Sequence, residues 1–183
     1  MKKRIFNSKG FTLVELLTVC ALIVVVGVMI VVIITSSLRG SNRTNNINDI
    51  RERGTYILSQ MSKMISYSKS FEGVSITGQP TDYSTDCTGA PSPDYKYLKI
   101  TSFDLGETVF ACTENNNIAS NSSNLINYPN LTVTQCYFTC TQGGISESPQ
   151  IDIHFTLSKN YTALFAENKV TIPFQTSITL RND

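Results

Sequence analysis

An α+β fold, with a long N-terminal helix packed on an antiparallel β-sheet head, is what three patterns in the sequence predict. The first is an apolar run from Leu16 to Leu38 without a single charged residue. The second is a set of apolar residues recurring at three- and four-residue spacing between Ile47 and Ile65. The third is alternation of apolar and polar residues in two stretches near the C-terminus, Ile151 to Leu157 and Val170 to Leu180. A period near 3.6 marks a helix with one apolar face, and a period of two marks a strand with one wet face. Each such surface needs cover, and a helix lying on a sheet supplies it to both.

The apolar run comes first. About 20 apolar residues at 1.5 Å rise cross the hydrocarbon of a bilayer, so its length fits a single span. The basic residues Lys2, Lys3, Arg4 and Lys9 lie just ahead of it and, by the positive-inside bias, hold the N-terminus in the cytoplasm. A secretory signal has an apolar core of only about 7–15 residues followed by a small-residue cleavage site. Here the run is longer, and Thr35-Ser36-Ser37 is a poor site. An ordinary single-span anchor that does not polymerise fits the length but leaves Glu15 unexplained. An ionisable residue costs roughly 2.5–3.5 kcal/mol at the bilayer centre, less near an end, and marks a functional position by default.

The residues Gly10-Phe11-Thr12-Leu13-Val14-Glu15-Leu16-Leu17 resemble the prepilin cleavage motif of type IV pilins and of the pseudopilins of type II secretion and competence systems. The motif combines a short basic leader, a Gly at the cut, a Phe after it and a Glu four residues further on. The resemblance implies that a prepilin peptidase at the cytoplasmic membrane cuts between Gly10 and Phe11, and that Phe11 is then N-methylated. It implies a subunit-assembly role for Glu15, whose carboxylate and the new amine of Phe11, on the same or a neighbouring subunit, neutralise each other inside a filament. Truncating one partner of such a buried pair costs about 3–5 kcal/mol. The implied partners are the peptidase, other pilin-type subunits and the pilus assembly platform, and the implied product is an extracellular filament or pseudopilus. The implied organisation is a leader over 1–10, a membrane or filament-core helix over 11–38, an amphipathic extension over 39–70 and a head over 71–183.

Length agrees with one anchored domain, since 183 residues less leader and span leave a single small core. Net charge is +1, and setting aside the four basic leader residues leaves −3 on the remainder. No basic stripe interleaved with aromatics calls for nucleic acid.

Beyond a polar break at Arg39-Gly40-Ser41-Asn42, the residues Ile47, Ile50, Ile57, Leu58, Met61, Met64 and Ile65 form one face of an amphipathic helix, with Gly54 filling the position between. The helix is predicted to end near Lys69-Ser70, with Phe71-Glu72-Gly73 as its exit. The apolar half departs from the better-known pilin pattern in having no proline. Gly27 and Gly40 are its only glycines, each about 1 kcal/mol less favourable than Ala in a helix, and each reads as a weak point or as a place of close packing.

Strands follow. The alternation predicts them at Ile151 to Leu157 and Val170 to Leu180, the second carrying Pro173, which has no amide hydrogen and so favours an edge or a bulge. Tyr97–Thr101, Thr108–Cys112 and Leu131–Phe138 are further strands. The segments 78–94, with its prolines, and 113–130, rich in Asn and Ser, read as loops. Phe174 to Asn182, together with Arg51-Glu52-Arg53, is similar to a subset of minor pilins and J-type pseudopilins; these matches are short and carry no chemistry.

No reaction centre is legible. The single His154 falls on the wet face of its strand beside Asp152, and a metal site needs three or four ligands. There is no Gly-x-Ser-x-Gly elbow, phosphate loop or His-Glu-x-x-His pair, so the sequence reads as a non-enzymatic chain needing no cofactor. Asp82, Asp86 and Asp94 lack the spacing of a calcium loop and read as solvated turns. Sequons begin at Asn42, Asn121, Asn130 and Asn160.

Cysteine usage splits by compartment. Cys20 lies in the apolar run, where a thiol acts as a small apolar group. Cys87, Cys112, Cys136 and Cys140 lie beyond it, an even number on the oxidising side, and read as two disulfides; zinc is the rival, but Cys-x-x-Cys spacing is absent. If Cys136 to Cys140 is a continuous strand, four steps of about 3.3 Å separate their Cα atoms by about 13 Å, beyond the roughly 4.4–6.8 Å that a disulfide spans. Each then reaches separately to Cys87 or Cys112. If Phe138-Thr139 turns instead, Cys136 pairs with Cys140 and Cys87 with Cys112. The first arrangement is slightly preferred.

Overall fold

The computed structural model describes residues 10–89, 92–113, 117–128, 130–144, 147–159 and 169–180. Lys2, Lys3, Arg4 and Lys9, the sequon at Asn160 and the end of the C-terminal match at Arg181-Asn182 lie outside them. Two compact units divide the chain, Met1–Thr44 and Asn45–Asp183.

A single helix, α1 (Leu13–Ser66), runs through the apolar and the amphipathic stretches. The polar residues Arg39 to Asn42 stay helical, because no proline or competing cap interrupts them. In the second unit the helix buries Asn46, Ile50, Gly54, Ile57, Met61 and Ile65, a stripe at spacings of three and four residues. Met64, expected on that stripe, is exposed instead. It follows Met61 by only three residues, and the stripe continues through Ile65.

The helix stops at Ser66, earlier than the expected Lys69-Ser70. Ser68 N–H and Oγ both bond the Ile65 carbonyl, closing the last turn. The expected exit at Phe71-Glu72-Gly73 is instead a strand, β1 (Ser70–Ser75). A bulge between Phe71 and Gly73 hid it, since a glycine inside a short apolar run reads as a turn. Gly73 takes φ +124°, and a Cβ there would stand 2.7 Å from the Ser84 carbonyl oxygen. Only glycine admits the loop that crosses here, where Val74 and Ser84 exchange two backbone hydrogen bonds.

The strands make two antiparallel sheets rather than one. Sheet A orders β1, β2 (Tyr97–Thr101), β3 (Glu107–Thr113), β4 (Asn117–Ser120) and β5 (Ser123–Asn124). Sheet B orders β6 (Leu131–Thr141), β7 (Gln150–Lys159) and β8 (Val170–Thr179). β4 and β5 lie inside the segment 113–130 expected to be loop. Ile118 and Ala119 are buried there, too short an apolar pair to stand out among asparagines and serines. The hairpin between them turns on Asn121 and Ser122, both with positive φ, as a two-residue turn that follows the strand twist requires. Pro173 sits exposed on β8, an edge strand, the kind of position where a residue without an amide hydrogen is tolerated.

One core unites the sheets. Leu98, Ile100, Phe110 and Ile118 from sheet A meet Phe138, Ile151, Ile153, Phe155 and Leu157 from sheet B and the helix stripe. In β6 a bulge between Val133 and Gln135 absorbs one extra residue. Leu131 and Val133 before it, and Cys136, Phe138 and Cys140 after it, are therefore all buried. Without the bulge the later three would face solvent, because a one-residue slip reverses every side chain.

Candidate functional site

Gly10 and Phe11 lie ahead of the helix in non-helical backbone, and both are exposed. Phe11 shows 80% of its surface, and nothing lies within 4 Å of a Cβ built on Gly10. The bond between them is open to another molecule.

Thr12 and Glu15 close the start of the helix on each other. Thr12 Oγ1 accepts a hydrogen bond from the Glu15 N–H at 3.3 Å. Glu15 Oε2 accepts the Thr12 N–H at 2.9 Å and the Thr12 hydroxyl at 3.0 Å. Two of the orphan donors that every helix start leaves are thereby satisfied reciprocally, the arrangement called a capping box. The sequence signal was present as Thr12-x-x-Glu15 before an apolar run, and reading Glu15 only as a membrane charge missed it. Glu15 thus has a partner within its own chain.

Every residue from Gly10 to Asn45 is exposed in this chain, and the helix is long and apolar enough to cross a membrane. A surface of valine, isoleucine and leucine of that extent is stable only in lipid or against other apolar helices. Cys20 is a free thiol on it.

The remaining cysteines lie in the second unit. Cys87 bonds Cys140 and Cys112 bonds Cys136, with Cα separations of 5.4 and 5.5 Å. Cys136 and Cys140 share the continuous strand β6, so each reaches a different partner. One bridge ties β3 of sheet A to β6 of sheet B, and the other ties the loop after β1 to the same strand. Polar bonds reinforce both seams: Tyr95 and Phe138 exchange backbone hydrogen bonds, and Lys96 Nζ donates to the Cys136 carbonyl at 2.7 Å.

His154 stacks on Tyr137 with ring centroids 4.7 Å apart, half-buried on the outer face of sheet B. Asp82 accepts bonds from the Thr77 N–H and from the Ser75 and Thr77 hydroxyls, which hold its carboxyl below the usual aspartate range. Asp86 is held by Thr88 in the same way. Among the described residues no three His, Cys, Asp or Glu side chains gather to hold a metal. At the Asn121 sequon the side-chain amide donates to the Glu107 carbonyl, and its oxygen accepts the Val109 N–H. Attaching a sugar there would remove a donor that anchors the β4–β5 turn.

Comparison with protein-family models, with curated proteins and with solved structures returns no match.

Proposed function

We propose that this chain is a non-enzymatic structural subunit of a type IV pilus or related pseudopilus, processed by a prepilin peptidase between Gly10 and Phe11 and polymerised through its N-terminal helix. Before assembly it sits in the cytoplasmic membrane with its N-terminus inside and its head exported. The observation that carries this reading is the position of Glu15, the one charged residue between Phe11 and Leu38. Its carboxylate is drawn back to the Thr12 N–H, one residue from where cleavage would create the amine of Phe11. Charge neutralisation at the head of an apolar helix is what burial in a filament requires. The exposed Gly10-Phe11 bond supports the processing step. Mass spectrometry of the N-terminus tests it: a methylated Phe11 is expected, and a chain that keeps Met1 to Gly10 in its native cell overturns the reading.

One observation favours a second reading. The capping box gives Glu15 a purely local role, which suits a single-span anchored binding or sensor ectodomain that never polymerises. Such an anchor would keep its first ten residues.

A further inference from the structure

The hairpin joining β2 to β3 turns on a side-chain-bearing residue in a left-handed conformation. Its turn is closed by Leu105 N–H donating to the Ser102 carbonyl and Ser102 N–H donating to the Gly106 carbonyl. Leu105 takes φ +65° at the position such three-residue hairpin loops normally give to glycine. A left-handed conformation costs a side-chain-bearing residue free energy, and strain of this kind concentrates where a side chain is displayed for use. Leu105 is 68% exposed and Phe103 is 65% exposed, with the exposed carboxylate of Asp104 between them. The tip is an apolar knob with a negative charge at its centre, one oxygen of which, Asp104 Oδ1, accepts the Gly106 N–H at 3.1 Å.

A matching socket lies elsewhere on the second unit. A crevice of about 170 Å³ opens between Tyr56 and Ile57 of α1 and Leu125, Ile126 and Leu131. It falls well below the roughly 300 Å³ at which small-molecule sites begin, so it suits one side chain. Its rim is basic: the Arg53 guanidinium lies 4.4 Å from the centroid of the Tyr128 ring, and Lys159 lies over the same ring at 5.9 Å. Asp49 pairs with both cations, leaving one net positive charge.

We infer that the knob of one copy docks on the Arg53–Tyr128 crevice of a second copy, with the Phe103 side chain entering it and Asp104 and Leu105 on its rim. The two halves are complementary in shape class and opposite in charge, and both reside on this chain. Knob and socket occupy different places, so the contact either repeats from copy to copy or pairs two copies reciprocally about a two-fold axis. The acidic tip argues against an anionic membrane surface as the occupant. The inference stands apart from the processing reading, because a head contact between copies does not require cleavage at Gly10.

The test is a photoreactive benzophenone side chain at position 103 of the full-length chain in its native membrane, with a second tagged copy present and the adduct mapped by peptide. The expected adduct joins position 103 to residues 53–57 or 125–131 of the other copy. Leu105→Gly relieves the strained turn, so folding is retained, and it is expected to lower the adduct yield about tenfold. Asp104→Arg is expected to lower it similarly, and Arg53→Asp on the partner copy to restore it. An adduct with lipid, with another protein or elsewhere on the second copy overturns the inference, as does a yield indifferent to Leu105→Gly or unrestored by the charge swap. N-terminal mass spectrometry on the same sample reports processing separately.

Discussion

The ring of Phe174 occupies the space that a side chain on Gly54 would need: a Cβ built on Gly54 would lie 2.2 Å from Phe174 Cζ. Gly54 is on the buried stripe of α1 and Phe174 on the edge strand β8. Phe174 is also stacked on Phe155, its cross-strand partner, at 5.2 Å between centroids. The ring is half-buried, packed against Phe155 on one side and the helix on the other, so a side chain at position 54 requires it to shift. A residue unfavourable to helices is therefore placed where a ring from the sheet lies against the helix backbone.

Gly54→Ala is expected to destabilise the head by about 1–2 kcal/mol, even though alanine alone would favour the helix by about 1 kcal/mol. Phe174→Leu in the same chain should recover part of the loss. Denaturant midpoints of the single and double variants check both statements, and a more stable Gly54→Ala would show that the ring moves freely.

Thr12 and Glu15 separate capping from assembly. Thr12→Ala removes the hydroxyl cap, at about 0.5–2 kcal/mol of helix stability, and leaves the Glu15 carboxylate in place. Glu15→Ala removes the carboxylate as well as its half of the box. Filament incorporation is expected to survive Thr12→Ala and to fail for Glu15→Ala, with cleavage at Gly10 intact in both. Equal incorporation of the two, measured in sheared surface fractions, would leave Glu15 as a cap only.

Gly10→Ala is expected to reduce processing, so that the precursor accumulates in the membrane fraction. An unchanged ratio of precursor to mature chain on immunoblots counts against cleavage at this bond.

The Cys112–Cys136 and Cys87–Cys140 bridges close sequence separations of 24 and 53 residues. The chain-entropy argument gives each about 3–4 kcal/mol. Replacing the Cys112 and Cys136 pair by serine should lower stability by about that amount, and a non-reducing peptide map should recover 87 with 140 and 112 with 136. A peptide joining 136 to 140 would contradict the pairing.

Acid should weaken the loop after β1 through Asp82. Hydrogen bonds from Thr77 and Ser75 depress its carboxyl in the folded state, so its contribution is fully present above the unfolded aspartate value of about 3.9. That contribution is lost as pH falls through the lower folded value. Asp82→Asn should flatten the stability profile below about pH 4 relative to the parent. An identical acid limb for both chains, followed by denaturant titration at each pH, would remove Asp82 from the account.

Much of the architecture was legible because periodicity is local. The alternation in β7 and β8 and the helical spacing of Ile50, Ile57, Met61 and Ile65 each follow from one stretch of chain meeting one buried surface. β1, β4 and β5 were not legible. In β1 the bulge at Gly73 broke the alternation, and in β4 and β5 pairing partners rather than apolar content hold the strands. At the N-terminal segment Gly10, Phe11 and Glu15 were picked out by type and spacing. The Thr12 cap was equally readable, but Glu15 was read as a partner for the amine of Phe11 and not for the hydroxyl three residues before it.

By itself the sequence determined the long apolar helix, its amphipathic continuation, the paired C-terminal strands and an even set of cysteines beyond the apolar run. Composition and period are properties of short segments, and no distant residue alters them. The tertiary structure alone decided which cysteines meet, the division into two sheets, and the use of Gly54 as a seat for Phe174. These depend on register, and register in β6 is set by a one-residue bulge against β7 that turns Cys136 inward toward Cys112. A side chain's direction along a strand is local, but which wall it faces is a property of the whole core.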